Sequence, residues 1–397
     1  MAAPQPRPRR LYLIDGSGYI FRAFFAIPNQ MTRPDGTPVN AVYGFSSMLM
    51  KLLDDLRDQS VEELIAVVFD TARKTFRNDI YKDYKAHRPP PPEDLVPQFA
   101  LVREATRAFN VPAIEMAGYE ADDLIATYAR QAAEQGIDVV IISGDKDLMQ
   151  LIRPGVRLRD PIKNIDIGPE QVKEKFGVGP ERVIDVQSLA GDSTDNVPGV
   201  PGIGVKTAAE LINQYGDLET LLRRASEIKQ AKRRESLIEN AELARISRKL
   251  VTLKDDVPVA VPLEQLVWNP PDEDTLVGFL NAQAFKSLVA KVSAKTGNNA
   301  AVKNGGRPAT VGPAAVPRAA VPGARAPIDR AAYETVQTAQ ALQAWADKAT
   351  QAGWVAVDTE TDGLDPLRAR LVGISLCVTP GEACYIPLAH GGGGAQG

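Results

Sequence analysis

The sequence predicts an α/β fold in which a mostly parallel central sheet is followed by a mainly helical region. Three apolar runs, at residues 11–14, 64–69 and 139–142, are continuous rather than alternating, which is typical of strands covered on both faces. Stretches with helical periodicity separate these runs, for example residues 40–56, so strands and helices alternate along the chain. Residues 169–290 contain no comparable run and are expected to be mainly helical.

The composition is that of a globular protein of two or three domains, with 397 residues, 44% of them hydrophobic and 24% charged. The chain contains 46 Lys and Arg and 50 Asp and Glu, so its net charge is −4. Nucleic-acid binding would therefore need local basic patches. Two cysteines and two histidines exclude a disulfide framework and a Cys/His zinc site, so a metal would have carboxylate ligands, which favours Mg²⁺ or Mn²⁺. The sequence has no signal-peptide or membrane-spanning run, and we expect an intracellular protein.

One segment differs sharply in composition from the rest of the chain. Residues 298–327 contain nine Ala, five Pro and four Gly, with no aromatic and no acidic residue. Such a segment buries too little apolar surface to offset its ordering entropy, so it is predicted to be a semi-extended linker. It divides the chain into a large N-terminal part and a short C-terminal part.

Nine carboxylates of the N-terminal part follow predicted strands or begin predicted helices. Ligands of open parallel sheets bind beyond the carboxyl ends of the strands, where these acids are expected to meet. A single Asp at such a place is commonly a turn former or helix N-cap, but a repeated pattern favours a shared site. Crowded carboxylates repel each other unless cations lie among them, and two divalent ions about 4 Å apart would serve phosphoryl chemistry. The nine acids are Asp15, Asp70, Glu120, Asp122, Asp123, Asp145, Asp147, Asp192 and Asp195.

Residues 71–88 are locally basic, with six Lys or Arg against two acids. Five residues of this segment are spaced as on one face of a helix, which four prolines at 89–92 would end: Arg77, Tyr81, Tyr84, Lys85 and Arg88. A basic and aromatic helix face beside a carboxylate edge suits a nucleic-acid strand with stackable bases. The alternative is a solvated helix whose aromatic side chains pack on the core.

The run GVPGIGVKTA at 199–208 places glycines before a predicted helix. Exposed backbone N–H groups of such a turn can hold a phosphate, so Gly202, Gly204 and Lys206 are candidate contacts to a duplex backbone. The run is neither a Walker A loop, because Val205 separates Gly204 from Lys206, nor a complete GxGxxG fingerprint. The alternative is a plain turn between two helices.

The ordered blocks IDGSGY, VFD, TFR…YKAHRPP, YEADD, GDKD and GDSTDNVPGVPGIGVKTA resemble the 5′-nuclease (flap endonuclease-like) domain of bacterial DNA polymerase I. The run VDTETDGL at 357–364 looks like the first motif of that polymerase's 3′–5′ proofreading exonuclease. The resemblance implies a PIN-like flap-endonuclease fold with a helical arch, and four segments. These are an α/β catalytic subdomain (1–175), a helix-hairpin-helix subdomain (176–295), the linker (296–327) and an incomplete ribonuclease H-like domain (328–397).

The resemblance also implies roles for individual residues. The nine acids would bind two Mg²⁺ or Mn²⁺ ions, some through water, and Lys85 and Arg88 would contact the scissile phosphate. Arg77 and Tyr84 would contact the strand in the arch, and Arg22 would lie near the reacting nucleotide. The glycine-rich turn would hold the downstream duplex, often with a K⁺ ion. Asp358 and Glu360 would be ligands of an incomplete 3′–5′ exonuclease motif.

The hypothesis is therefore a structure-specific, metal-dependent 5′-nuclease that acts on DNA flaps, nicks and RNA primers in replication and repair. We expect a cytoplasmic monomer without a membrane partner. Because no polymerase region follows within these residues, we also expect an N-terminal fragment or truncated product of a polymerase I. Two alternatives remain, namely a catalytically silent DNA-binding module of the same fold and a phosphorelay receiver. The receiver explains neither the basic segment nor the glycine-rich turn.

Overall fold

The computed structural model of the chain describes residues 8–27, 31–56, 61–72, 74–296, 333–352, 355–362, 370–379 and 382–388. These residues form two compact units, one within Met1–Lys303 and one within Asn304–Gly397. Residues 297–327 of the expected linker lie outside the described residues. No helix in the described ranges has the length and apolar character needed to cross a membrane.

The first unit is built on a six-stranded sheet with the spatial order β3-β2-β1-β4-β5-β6. All neighbouring strands are parallel except the last pair, which is antiparallel. In the register, Asp15 lies opposite Val68 and Ile14 opposite Ile142, so the three predicted strands end at one edge. The strands are β1 (Arg9–Asp15), β2 (Glu62–Val68), β3 (Ala113–Ile114), β4 (Asp138–Ile142), β5 (Val156–Asp160) and β6 (Ile165–Ile167).

Thirteen helices accompany this sheet in the described part of the first unit. Five of them lie between the strands: α1 (Gly16–Ala26), α2 (Asn40–Asp55), α3 (Arg77–Ile80), α4 (Gln98–Ala108) and α5 (Ala121–Glu134). Eight follow the sheet, as the sequence predicts: α6 (Pro169–Phe176), α7 (Val183–Ala190), α8 (Val205–Tyr215), α9 (Leu218–Arg223), α10 (Ala231–Glu239), α11 (Ala241–Val251), α12 (Glu273–Ala282) and α13 (Lys286–Thr296).

Both faces of the sheet are covered, which explains the continuous apolar runs. In β1, Leu11 and Leu13 face one core, which also contains residues of α5, α7 and α8. Tyr12 and Ile14 face the other core, which contains residues of α1, α2 and α4. Because alternate side chains of a strand point to opposite faces, a strand between two cores must be apolar at every position.

The predicted long basic helix over residues 77–88 is wrong. The helix α3 ends at Ile80, the next residue has extended backbone angles, and Lys85 is left-handed with φ of 54°. The side chain of Asn78 donates a hydrogen bond to the Tyr84 carbonyl at 3.0 Å, which closes a compact loop instead of a further helical turn. The helical spacing of the charges is real, but the tertiary contacts of this loop override it.

The described residues of the second unit form a four-stranded sheet with one helix. Its spatial strand order is β7-β10-β9-β8, and the indole nitrogen of Trp345 donates to Glu334 at 2.8 Å. Every residue of β8, which carries Asp358 and Glu360, is exposed. The elements are β7 (Glu334–Thr335), α14 (Ala339–Ala352), β8 (Ala356–Thr361), β9 (Leu371–Thr379) and β10 (Glu382–Pro387).

Candidate functional site

Asp15 is the last residue of β1 and caps the helix that follows. One carboxylate oxygen accepts a hydrogen bond from the Gly18 amide at 2.9 Å, and the other accepts from the Ser143 hydroxyl at 2.7 Å. A Cβ at Gly18 would lie 2.7 Å from that second oxygen, so glycine is needed for the close approach. Asp15 is therefore fixed between the ends of two neighbouring strands.

Asp70, just beyond β2, connects its strand end to two helices. Its carboxylate accepts hydrogen bonds from the Ser17 hydroxyl at 2.7 Å and from the Ala121 amide, the first of α5, at 2.8 Å. Asp122 lies in the first turn of α5, where the helix dipole favours negative charge. Asp145 follows β4, and its amide donates to the Ser143 hydroxyl at 3.0 Å.

These four aspartates, which we call the acidic quartet, are close enough for their charges to affect the ionisation of two of them, Asp15 and Asp122. Burial, with smaller contributions from the charges of Asp70 and Asp145, raises the pKa of Asp15 from 3.8 to about 6. Burial and the charges of Asp145, Asp15 and Asp70 raise the pKa of Asp122 well above its ordinary value. No ion pair joins a quartet member to a Lys or Arg in the part of the chain that the structure describes. The quartet is thus a concentration of negative charge without a neutralising partner in this part of the chain.

Asp147 lies at one side of the quartet. Burial and the charge of Asp145 raise the pKa of Asp147 to about 7, although the Gln187 amide donates to its carboxylate at 2.6 Å and opposes the shift. Asp192, in the turn after α7, is different, because Lys146 pairs with it and the Thr194 amide donates to it at 2.8 Å. Burial acts to raise the pKa of Asp192, but these partners outweigh it, and the pKa lies below its ordinary value.

Two predicted phosphate contacts, Lys85 and Arg88, form ion pairs with acids beside the quartet. The Lys85 amine lies 2.9 Å from Glu120 and 3.4 Å from Asp195, and Arg88 also pairs with Asp195. Burial acts to lower the pKa of Lys85, but Glu120, Tyr84 and Asp195 outweigh it and raise the pKa. We call Lys85 and Arg88 the cationic pair, which lies beside the quartet as the sequence predicts but is already neutralised.

The structure corrects three of the predicted roles. Arg77 is 1% exposed and Asp123 is fully buried, and they form two parallel hydrogen bonds of 2.7 Å. Asp123 also accepts from the Lys254 amide at 2.9 Å. Asp123 is therefore not available as a metal ligand, and Arg77 is not available to a strand. Tyr84 is 4% exposed and its hydroxyl donates to Glu120 at 3.2 Å, so it offers no stacking surface.

A cleft of about 900 Å³ is lined by Asp70 of the quartet and by both residues of the cationic pair. Its walls are partly aromatic and partly proline-rich, and Phe25 is 69% exposed there. The residues that matter for the site are Ser17, Phe21, Phe25, Asp70, Lys85, Arg88, Pro89, Phe99 and Glu120. Sequence reasoning missed the exposed aromatic residues of α1, although the three phenylalanines of the run FRAFF were a signal for them.

The remaining candidates lie in three other places. Arg22 lines a smaller cleft of about 290 Å³ together with Asp15 and Asp145, and one of its buried guanidinium nitrogens has no hydrogen-bond partner. Gly202, Gly204 and Lys206 are in the exposed turn before α8 and in its first helical turn. Asp358 and Glu360 belong to the second unit.

The donor chemistry of the quartet fits a hard divalent cation. Within the described ranges, no three His, Cys, Asp or Glu side chains converge closely enough to hold one ion as they stand. Mg²⁺ keeps several of its waters and takes one or two carboxylates, so it does not require such convergence. Asp15 and Asp122 have raised pKa values and no ion pair with a Lys or Arg of the described residues, as expected of oxygen ligands that suit a divalent cation.

Solved structures share the fold of the first unit. It is similar to the D15 protein of bacteriophage T5 crystallised with metal ions, with a TM-score of 0.52 and 21% identity over 72% of this chain and 98% of that chain. It is also similar to the T5 D15 flap endonuclease in a complex with DNA and metal ions, with a TM-score of 0.51 and 21% identity over 72% of this chain and 97% of that chain.

The sequence comparisons give the family. Residues 10–177 match the 5′-3′ exonuclease N-terminal resolvase-like domain, residues 178–274 the 5′-3′ exonuclease C-terminal SAM fold, and residues 333–395 the 3′-5′ exonuclease. DNA polymerase I of Rhizobium leguminosarum is 45% identical over 96% of this chain and 44% of that protein. DNA polymerase I of Bacillus caldotenax is 41% identical over 72% of this chain and 32% of that protein.

The chain belongs to the DNA polymerase I family and carries its 5′-3′ exonuclease region together with part of its 3′-5′ exonuclease region. It spans less than half the length of these curated relatives. The predicted resemblance and the predicted fold class are both confirmed. The roles of individual residues stay predictions that the geometry supports or, for Arg77, Tyr84 and Asp123, corrects.

Proposed function

We propose that the chain is a metal-dependent 5′–3′ exonuclease and flap endonuclease that hydrolyses phosphodiesters near the 5′ ends of DNA strands or RNA primers. The observation that carries this proposal is the acidic quartet without a neutralising cation, beside a cleft lined by the cationic pair. The family of the chain supports the same activity. Its substrates would be flaps, nicks and primer ends of replication and repair.

The quartet would hold two Mg²⁺ or Mn²⁺ ions, with Glu120, Asp147, Asp192 and Asp195 as further ligands, directly or through water. When bound, such ions act as Lewis acids and lower the pKa of water. Ser17 and Ser143 hold the Asp70 and Asp15 carboxylates at the strand ends. Lys85 and Arg88 would leave their acids and bind the scissile phosphate, where positive charge stabilises the developing negative charge.

The flanking regions would hold the rest of the substrate. The cleft with Phe21 and Phe25, of about 900 Å³, would take the unpaired strand, because aromatic rings give bases a stacking surface. The glycine-rich turn before α8 would bind the duplex backbone, with K⁺ as a further candidate ion. We also propose the four segments 1–175, 176–295, 296–327 and 328–397 as its functional divisions, and a monomer that acts in the cytoplasm, where its DNA is.

The test is cleavage of a 5′-flap duplex, labelled at its 5′ end, in the presence of Mg²⁺. We expect a short labelled product, no reaction in EDTA, and loss of cleavage in Asp122→Asn. Asp274→Asn, which removes an exposed acid of α12 distant in sequence from the quartet, is the matched control and should keep its rate within about twofold. Flap binding without any cleavage would overturn the proposal and favour the catalytically silent DNA-binding module.

A further inference from the structure

The helix α7 carries a buried side-chain amide whose two ends are unequally satisfied. Gln187 is 3% exposed, and its Nε2 group donates a hydrogen bond to the Asp147 carboxylate at 2.6 Å. Its Oε1 atom is buried and has no hydrogen-bond partner among the described residues. Because nearly all buried polar atoms of folded proteins are satisfied, an unsatisfied acceptor beside a candidate metal ligand indicates a donor that comes from a ligand.

The orientation of the Gln187 amide follows from the chemistry of its neighbour. An ionised carboxylate only accepts hydrogen bonds, so the NH₂ end of the amide faces Asp147 and the carbonyl end faces away from it. Nε2 and Oε1 are bonded to the same carbon, so Oε1 lies within about 5 Å of the carboxylate oxygen. The backbone amide of Asp147 donates to the Asp145 carboxylate at 2.8 Å, which places this pair at the edge of the acidic quartet.

Two contacts join the region of α7 to the segment that carries Asp147. Gln187 contacts Asp147 itself, and Asp192, in the turn after α7, pairs with Lys146. Lys146 is adjacent to Asp147 in the chain, but its amine is used by Asp192. No ion pair joins Asp147 to a Lys or Arg within the described ranges. The neutral amide of Gln187 therefore holds the Asp147 carboxylate without cancelling its charge, which leaves that charge available to a cation.

The chemistry of the site limits what can donate to the Gln187 carbonyl. Ionised carboxylates are acceptors, and so are the phosphate oxygens of DNA. A hydrated divalent cation does supply donors, since Mg²⁺ takes only one or two carboxylates and keeps several of its waters. Oε1 is thus a suitable acceptor for a water of an ion that the neighbouring Asp147 carboxylate binds.

We propose that Gln187 is a positioning residue of the metal site. Its NH₂ group holds the Asp147 carboxylate, and its carbonyl accepts a hydrogen bond from the hydration water of the divalent cation that Asp147 binds. The inference rests on the proposed function for the presence of that cation. Partners of this kind orient the ligands of a metal and raise its affinity. Gln187 therefore sets the affinity of the chain for the metal.

The experiment titrates the metal-free chain, without DNA, with Mn²⁺ and follows the electron paramagnetic resonance signal of the free ion. Gln187→Met keeps the length of the side chain and removes both hydrogen-bonding ends, so it should weaken Mn²⁺ binding about 10–100-fold. Gln187→Asn keeps a neutral amide that is too short to reach its partners, and it should lose affinity in the same direction. Mn²⁺ binding at parental affinity in both variants would overturn the proposal.

The matched control is Gln283→Met, at the end of α12. Gln283 is also 3% exposed, and its Oε1 also has no hydrogen-bond partner among the described residues, but it contacts no candidate metal ligand there. The control should bind Mn²⁺ as the parent does. Equal losses in Gln187→Met and Gln283→Met would overturn the proposal, because the loss of a buried amide anywhere in the unit would then explain them.

A third variant separates the two ends of the amide. Gln187→Glu keeps an acceptor oxygen and loses the donor, so it should bind Mn²⁺ at least as tightly as the parent. A loss equal to that of Gln187→Met would overturn the role of the carbonyl.

Flap cleavage gives a second measurement. In Gln187→Met the Mg²⁺ concentration for half-maximal rate should rise about 10–100-fold, while the rate at saturating Mg²⁺ stays near that of the parent. A lower maximal rate with an unchanged Mg²⁺ midpoint would overturn the proposal. The Mn²⁺ titration needs no catalysis, so weaker binding in a chain that cleaves nothing would keep this role of Gln187 and reject only the nuclease activity.

Discussion

Two groups of acids meet at the same edge of the sheet, and they differ in their charge balance. Glu120, Asp123, Asp192 and Asp195 each pair with a Lys or Arg of the chain. The acidic quartet of Asp15, Asp70, Asp122 and Asp145 has no such partner in the described residues. Asp15 is buried and Asp122 partly buried, whereas Asp70 and Asp145 are exposed. Because charge that is buried without an ion-pair partner is unfavourable, Asp15 and Asp122 are the members that gain most from an external cation.

The ionisation of the two groups shows the same difference. The pKa of Asp192 lies below its ordinary value because its partners outweigh burial, whereas the pKa values of Asp15 and Asp122 are raised by burial and by neighbouring acids. Residues that look equivalent in the sequence therefore divide into acids that are already paired with a Lys or Arg of the chain and acids that have no such partner in the described residues. This division can be tested by substitutions that remove charge and keep shape.

The largest expected effect is on catalysis, from Asp122→Asn in the quartet. Because the amide cannot replace a charged ligand, cleavage of a flap substrate with Mg²⁺ should fall by about a thousandfold or more. Single-turnover rates at saturating protein measure it. A loss below tenfold would mean that Asp122 belongs with the paired acids rather than with the quartet.

The next effect is on stability, from Asp123→Asn in the paired group. It leaves the buried guanidinium of Arg77 with only the more distant Glu120 carboxylate, at 3.7 Å, as a counter-charge, which should lower the free energy of unfolding by about 3 kcal/mol. Urea unfolding followed by circular dichroism measures the change. Asp122→Asn is the control on the adjacent residue, since it should not destabilise the metal-free protein. Similar midpoints for both variants would contradict the division.

A smaller effect concerns the pH dependence of the metal-free protein. Because the folded pKa of Asp15 is raised to about 6, the folded state binds more protons than the unfolded state between about pH 4 and 6. Stability is therefore lost as pH rises through this window, by up to about 3 kcal/mol.

Asp15→Asn should remove that loss. In EDTA at pH 8 the variant should be more stable than the parent by about 1–3 kcal/mol, and at pH 4 the difference should vanish. Mg²⁺ should raise the melting temperature of the parent more than that of the variant. Thermal unfolding at the two pH values checks this, and a variant less stable at pH 8 would show that Asp15 is structural.

The smallest effect concerns the cationic pair. Asp195→Asn removes the ion pair of Arg88 and one of the two ion pairs of Lys85. A flap DNA should therefore bind a few times more tightly in EDTA, a gain in binding free energy of about 1 kcal/mol. Asp192→Asn makes the same change of charge next to Lys146, which does not line the larger cleft. Equal gains from both variants would attribute the effect to net charge and not to the release of the cationic pair.

The arrangement of the sheet was predictable because its signals are local. A strand that is covered on both faces needs continuous apolar residues, and parallel strands place their carboxyl ends at one edge. The sequence therefore indicates that the acids after the three strands lie at one edge of the sheet; these acids are Asp15, Asp70 and Asp145. The loop that replaces the expected helix over 77–88 was not predictable in this way. Helical spacing does not reveal that the side chains of Arg77 and Tyr84 are buried.

By itself, the sequence determined that acids gather beside basic residues in an α/β fold of the 5′-nuclease type. Only the tertiary structure decided which acids are neutralised. Arg77 meets Asp123 across 46 positions, and Arg88 meets Asp195 across 107. Pairing over such distances depends on how the chain packs and not on local propensity, so residues of identical chemistry take different roles.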